Sequence, residues 1–254
     1  MNTLVWTYNT EITSELFPEY SERDRTTLYI NYYRLSIDRA SKLGYKCILY
    51  TSNSYLNHFR DLDVEIVIIE NIDSRLFDFI KIKVLETRSD EYVLIDGDLI
   101  LNKKLNIPTN VSISYDFLET KSWNMIYSKY VNTLTNLNLN KYIKEWTGVR
   151  RSHITNCGLL YFTDSNFKQL YIDRWKLLNN FIKTHIKSTE QINYSATAAQ
   201  YLLTELIEYY NIESISFKDI SDDESYTHYY GDSKFKNPIV PINKVIQFKS
   251  NQII

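Results

Sequence analysis

The stretch Glu91–Leu101, EYVLIDGDLIL, sets two carboxylates one residue apart at the end of an apolar run. Tyr92–Ile95 reads as a strand, Asp96 and Asp98 follow it around Gly97, and Leu99–Leu101 resumes the apolar pattern. Like charges this close repel, and each carboxylate needs a partner or water to stay ionised. A cation between them, either a lysine head or a divalent metal, resolves the repulsion. Hard cations such as Mg2+ and Mn2+ prefer carboxylate oxygens, and glycine permits a sharp bend between the two ligands. A solvated turn after a strand is the competing reading, since D-x-D is a short motif.

Outward from this stretch, short apolar runs alternate with helical patterns. TLVWTY (Thr3–Tyr8), CILYTS (Cys47–Ser52) and EIVIIE (Glu65–Glu70) read as strands, rich in β-branched residues and suited to a sheet covered on both faces. Arg25–Leu43 has helical spacing, with Leu28, Tyr32, Leu35 and Ala40 on one side and Gly44 as its stop. Phe77–Arg88 is helical again. This alternation predicts an α/β fold with a Rossmann-like, mainly parallel sheet flanked by helices. Ligands of open parallel sheets bind beyond the carboxyl ends of the strands, which is where Asp96 and Asp98 fall. Beyond them, Asn110–Phe117, Asn156–Phe162 and Ile212–Phe217 read as strands, and Phe167–Lys187 and Glu190–Tyr210 as helices. Leu118–His153 is aromatic, with Trp123, Tyr127, Tyr130 and Trp146, but has no clean period. It reads as an acceptor-side wall or as packing.

Composition narrows the class. The 254 residues carry a formal net charge of −2, with Lys and Arg scattered rather than gathered on a basic face. That excludes a dedicated nucleic-acid binder. Five glycines leave neither a Walker loop nor a G-x-G-x-x-G turn. Cys47 and Cys157 stand far apart without C-x-x-C spacing, as expected of reduced thiols in a cytosolic compartment. With no leader pattern and no apolar run of about 18–20 residues, the expectation is a cytoplasmic protein without a membrane span.

Three further stretches carry chemistry. In THYYGDSKF (Thr227–Phe235), His228 is a potential metal ligand, Gly231 allows close backbone approach and Lys234 offers charge to a phosphate. In NCGLLYF, Asn156, Cys157 and Gly158 open an apolar strand, as a small-molecule contact or as a plain turn. In STEQINYSATAAQYLL, Glu190 and Gln191 open an amphipathic helix, for which Ser188 or Thr189 is a ready N-cap.

Taken in order, these motifs resemble the GT-A nucleotide-diphosphosugar glycosyltransferases, and among them the retaining glycogenin and lipopolysaccharide galactosyltransferase group. That family orders a D-x-D strand end, an N-A-G strand, a D-Q helix start and an H-x-x-G-x-x-K loop. Here they stand as Asp96-Gly97-Asp98, Asn156-Cys157-Gly158, Glu190-Gln191 and His228…Gly231…Lys234, and FIKIKVLE places Lys81 at the family's donor-contacting position. Glu190 replaces the usual aspartate and Cys157 an alanine, and Phe235 follows Lys234 where proline is common.

The resemblance implies one GT-A domain over residues 1–254, with a nucleotide-binding half in 1–101. The rest, 102–254, would hold the acceptor side and the C-terminal metal and phosphate loop. It implies that Asp96, Asp98 and His228 hold a divalent metal, Mn2+ or alternatively Mg2+. Lys81, Asn156, Cys157, Gly158 and Glu190, with Gly97, would then lie on the donor, and Gly231 and Lys234 on the leaving UDP. Gln191 would lie beside the reacting anomeric carbon, with Glu190 as the other catalytic candidate. At the end of the first strand, Thr7 and Tyr8 fall on the nucleotide side, Tyr8 either stacking on a uracil or packing inside. The implied activity is transfer of a hexosyl or N-acetylhexosaminyl group from a UDP-sugar to a glycan, protein or small-molecule hydroxyl, with retention. Two alternatives are a silent GT-A domain that binds UDP-sugar or a partner, and a haloacid dehalogenase-type phosphatase. The second places its D-x-D earlier in the fold and follows it with threonine, where this chain has Leu99.

Overall fold

The computed structural model describes residues 2–8, 20–73, 75–76, 78–119, 127–222, 224–229, 233–236, 238–241, 244 and 246–247. In chain order its elements are β1 (Thr3–Tyr8), α1 (Glu22–Lys42), β2 (Lys46–Thr51), β3 (Glu65–Ile68), α2 (Phe79–Thr87), β4 (Val93–Ile95) and β5 (Leu99–Leu101). There follow β6 (Ile113–Tyr115), β7 (Leu118–Glu119), α3 (Ser128–Asn136), β8 (Ile154–Thr155), β9 (Leu159–Phe162), α4 (Ser165–His185) and α5 (Gln191–Tyr209). The last are β10 (Ser214–Ser216), α6 (Phe217–Ile220), β11 (Tyr226–His228) and α7 (Ser233–Lys236). The fold is α/β, with mainly parallel strands flanked by helices, as the alternation of patterns predicts. The chain forms two compact units, Met1–Ile72 with Asp90–Asn106 and Ser221–Ile254, and Asp73–Ser89 with Ile107–Ile220.

In the first unit four parallel strands run in the order β4-β1-β2-β3. Leu4, Val5 and Trp6 of β1 and Ile48 and Leu49 of β2 are fully buried, as apolar runs inside a parallel sheet must be. The registers pair Tyr8 with Thr51 and Thr51 with Ile68, so the carboxyl ends of these strands lie along one edge. Helix α1 supplies the crossover that parallel strands require. It begins three residues before the expected start, because Ser21 caps it by accepting from the Asp24 amide at 3.1 Å. Past its end, Gly44 takes the left-handed conformation (φ 80°) of a C-terminal stop. A chain of buried hydrogen bonds pins α1 to the sheet: Trp6 Nε1 donates to Ser36 Oγ at 3.0 Å, and Ser36 donates to the Leu99 carbonyl at 2.6 Å.

In the second unit, β10 runs parallel to β6 and β6 antiparallel to β9. The strand expected over Asn110–Phe117 contracts to Ile113–Tyr115. The segment Leu118–His153, which shows no period in sequence, contains β7, α3 and a short 3-10 turn at Leu139–Lys141. Its order comes from tertiary pairing. Glu145, fully buried, accepts from Arg174 at 2.9 and 3.0 Å and from the Tyr210 hydroxyl at 2.5 Å. Glu205, also fully buried, accepts from the Thr147 amide and hydroxyl and from Arg151. Tyr127 and Trp146 are buried as packing, while Trp123 lies outside the described residues.

Candidate functional site

The apolar strand β4 ends at Ile95, and the chain turns through Asp96-Gly97-Asp98 with the Leu99 amide donating to the Asp96 carbonyl at 3.2 Å. Strand β5 then pairs antiparallel with β11, in the register Leu99↔His228, Ile100↔Thr227 and Leu101↔Tyr226. The hairpin-like end of this pair is fastened by Asn102 and Lys103 amides donating to the Ser225 carbonyl, and by Lys103 paired with Asp222 and Glu224. The Tyr229 amide donates to the Asp98 carbonyl at 2.9 Å. This register carries His228 to the carboxylates.

Asp96, Asp98 and His228 each present a ligand atom within 4.8 Å of the other two. His228 Nε2 lies 3.3 Å from Asp98 Oδ1, and these two side chains are only 7% and 12% exposed. The register thus sets an imidazole nitrogen beside the carboxylates that the opening stretch crowds together. The donor set of two carboxylates and one imidazole fits a hard or borderline divalent cation. Ligands about 2.1 Å from one ion sit within about 4.3 Å of each other, so a small rotamer adjustment closes the set.

Gly97 occupies its place for a reason other than the one its sequence context suggests. Its φ is not left-handed. Space, rather than a special bend, is what it supplies: a Cβ built there would fall 2.0 Å from Tyr33 Cδ2 and 2.1 Å from Cε2. Tyr33, on α1, donates its hydroxyl to the Thr7 carbonyl at 2.7 Å. Burial first, and then the charges of Asp96 and Asp98, push its phenol well above the ordinary value, so it remains a neutral donor. Thr7, expected on the nucleotide side, meets Tyr33 through this backbone carbonyl.

Tyr8 is 1% exposed and met edge-on by Tyr33, Tyr55 and Phe59 at centroid distances of 4.8, 5.2 and 5.1 Å. The ring is packed among aromatics rather than presented to a base. Gly231 lies outside the described residues, as does the side chain of Lys234 on α7.

The remaining candidates belong to the second unit. Lys81 of α2 donates to the Cys157 carbonyl at 3.3 Å, with Asp78 Oδ1 3.9 Å from its ammonium. Asn156 Oδ1 accepts from the Gly158 amide at 2.9 Å, the hydrogen bond of an Asx turn leading into β9. Asp116, fully buried just past β6, belongs to none of these motifs, yet its amide donates to the Asn156 carbonyl at 3.2 Å. Ser188 and Thr189 do not cap α5. Glu190, exposed and with helical backbone angles, takes the N-cap position without a side-chain hydrogen bond. Gln191 is turned inward, 3% exposed, donating Nε2 to the Ile186 and Lys183 carbonyls at 2.9 and 3.3 Å. It closes the last turn of α4, while its own Oε1 is buried without a hydrogen bond.

Cys47 and Cys157 are both buried thiols, and burial pushes Cys47 up to about 12. Among the described residues no helix is long and apolar enough to cross a membrane.

No family model matches the chain, and no curated protein matches it. Among solved structures it is similar to the galactosyltransferase LgtC in complex with donor and acceptor sugar analogues, at 8% identity over 84% of this chain and 72% of that one, TM-score 0.45. It is also similar to the glycosyltransferase GlyE of Streptococcus pneumoniae TIGR4, at 12% identity over 93% of this chain and 50% of that one, TM-score 0.43. A third likeness is to the inositol-1-phosphate CTP transferase of T. maritima, at 11% identity over 85% of this chain and 86% of that one, TM-score 0.41. The chain thus spans half the length of the GlyE structure. Several of its structural neighbours are glycosyltransferases, at low sequence identity. With identities of 8–12% and TM-scores of 0.41–0.45, these likenesses assign no activity to this chain.

Proposed function

We propose that this chain is a divalent-metal-dependent glycosyltransferase of the GT-A type, moving a sugar from a UDP-sugar to a hydroxyl acceptor with retention. The observation that carries the proposal is the convergence of Asp96, Asp98 and His228, three residues that the resemblance implies as metal ligands. Their oxygen and nitrogen atoms suit Mn2+ or Mg2+. Such an ion, when bound, supplies positive charge to neutralise a departing diphosphate. Lys234 is assigned to the same phosphate, as a compact ammonium charge. Lys81, Asn156, Gly158 and Glu190 are assigned to the donor sugar, with Lys81 held in place by the Cys157 carbonyl. Gln191 and Glu190 stand as the candidates beside the reacting carbon, in keeping with the resembled group.

One observation favours a second reading, a chain that binds UDP-sugar without transferring it. The amide of Gln191 is committed to two carbonyls of the α4 end. Release of UDP from a panel of UDP-sugars, with Mn2+ and then with a chelator, separates the readings. Metal-dependent release from one donor supports transfer. Metal-dependent UDP binding with no turnover, with or without acceptor, supports the second. Absence of UDP binding in either condition overturns both.

A further inference from the structure

The turn that carries the two aspartates is shaped by a residue far from it in sequence. Gly97 leaves no room for a side chain, because the ring of Tyr33 lies where its Cβ would be, 2.0–2.2 Å from Cδ2, Cε2 and Cγ. A side-chain carbon does not approach a ring so closely without displacing it or the backbone. The same ring is anchored at its far end, where its hydroxyl donates to the Thr7 carbonyl at 2.7 Å. Its near neighbour Tyr8 meets it edge-on at 4.8 Å, itself buttressed by Tyr55 and Phe59. Three residues further along α1, and so on the same face of the helix, Ser36 donates to the Leu99 carbonyl and accepts from Trp6. Helix α1 therefore grips the turn on both sides, at Gly97 through a ring and at Leu99 through a hydroxyl.

We infer that Tyr33 is a positioning residue for the carboxylate pair: its ring, seated on the bare backbone of Gly97 and tied to Thr7, sets the separation of Asp96 and Asp98 for one divalent cation. This rests on the metal reading of the Asp96, Asp98 and His228 cluster and adds the element that holds it. In this role Tyr33 itself would not ligate the cation. The tyrosine acts by denying the turn other conformations, in the manner of outer partners that orient metal ligands.

The test is Mn2+ binding by the full chain, read by the loss of the free-Mn2+ electron paramagnetic resonance signal, alongside thermal unfolding. Tyr33→Ala is expected to weaken Mn2+ binding about 10-fold or more, the cost typical of removing an outer partner of metal ligands. Gly97→Ala is expected to weaken it similarly, and Tyr33→Ala combined with Gly97→Ala to bind Mn2+ better than Gly97→Ala alone, because the clash is gone. Leu28→Ala, fully buried on the same helix, is the packing control. It is expected to lower the unfolding temperature with Mn2+ affinity unchanged. Should Gly97→Ala fail to fold, the Tyr33→Ala affinity still decides. Wild-type affinity in folded Tyr33→Ala overturns this inference and leaves the metal site standing. A wild-type chain that binds no Mn2+ overturns the metal reading and this inference together.

Discussion

At the residue scale, Gly44 and Gly97 are required for different physical reasons. Gly44 sits at φ 80°, where a Cβ would make no more than an ordinary van der Waals contact, with Lys104 Nζ at 3.8 Å. Gly44→Ala is therefore expected to cost about 1–2 kcal/mol of backbone strain alone, measurable by urea unfolding, with Mn2+ binding untouched. Gly97 is the opposite case, ordinary in backbone and denied a side chain by a ring. For the metal ligands, Asp98→Asn is expected to abolish metal-dependent UDP release while leaving the circular dichroism spectrum of the wild type. Full activity in that variant would remove Asp98 from the metal site. Glu145 illustrates a buried charge that is structural. Burial alone would raise its carboxyl, but hydrogen bonds from Arg174 and Tyr210 outweigh that and hold it below the usual carboxylate range. Arg174→Met removes the cation and leaves this buried carboxylate with the Tyr210 hydroxyl, and a loss of about 3 kcal/mol is expected in denaturant titration.

At the element scale, helix ends show how local patterns and tertiary contacts compete. The Ser21 cap of α1 is a local signal, a serine three residues before an aspartate, and the structure uses it. The corresponding signal at Ser188 or Thr189 goes unused, because the start of α5 is set by its junction with α4. Gln191 spends its amide there. Gln191→Ala leaves the Ile186 and Lys183 carbonyls without that donor, and a loss of about 1–3 kcal/mol is expected from unpaired buried acceptors. Gln191→Glu removes the donor and keeps the shape. A stability loss in Gln191→Glu with UDP release retained would mark the residue as structural, whereas loss of release at unchanged stability would mark it as catalytic.

At the scale of the whole molecule, stability is expected to fall in acid. Hydrogen bonds from Arg34 hold the Asp61 carboxyl below its ordinary value, and those from Arg75 and Lys183 do the same for Asp73. A carboxyl whose folded value is depressed contributes stability that is present above its unfolded value and is lost as pH falls through the folded one. The unfolding temperature should therefore hold from neutral pH down to roughly pH 4, where free carboxyls titrate, and decline below it. Arg34→Met should make that acid decline shallower. A second long-range device is Asn31, fully buried on α1. It donates to the Pro241 and Lys244 carbonyls at 2.6 and 2.9 Å and accepts from the Ile246 amide at 2.8 Å. Asn31→Leu should raise protease cleavage near residue 244 before any global unfolding is seen.

Features that repeat at short range could be read from the residues alone. Continuous apolar runs marked β1, β2 and β4, helical spacing marked α1, α4 and α5, and Gly44 marked a stop, because each is encoded by residues a few positions apart. The carboxylate pair was legible on the same terms, since a strand ending in D-G-D states its own charge problem. The partners that resolve it were not set locally. His228 reaches Asp98 only because β11 pairs with β5 in one register, and a slip of one residue would turn its side chain to the other face. Tyr33 carries no signal in its own stretch of sequence, and Gln191 stands there as a helix start or, by the resemblance, a catalytic candidate. Their roles depend on which backbone each meets after the elements pack, at Gly97 and at the end of α4. That is a matter of distances across the fold, which no periodicity records.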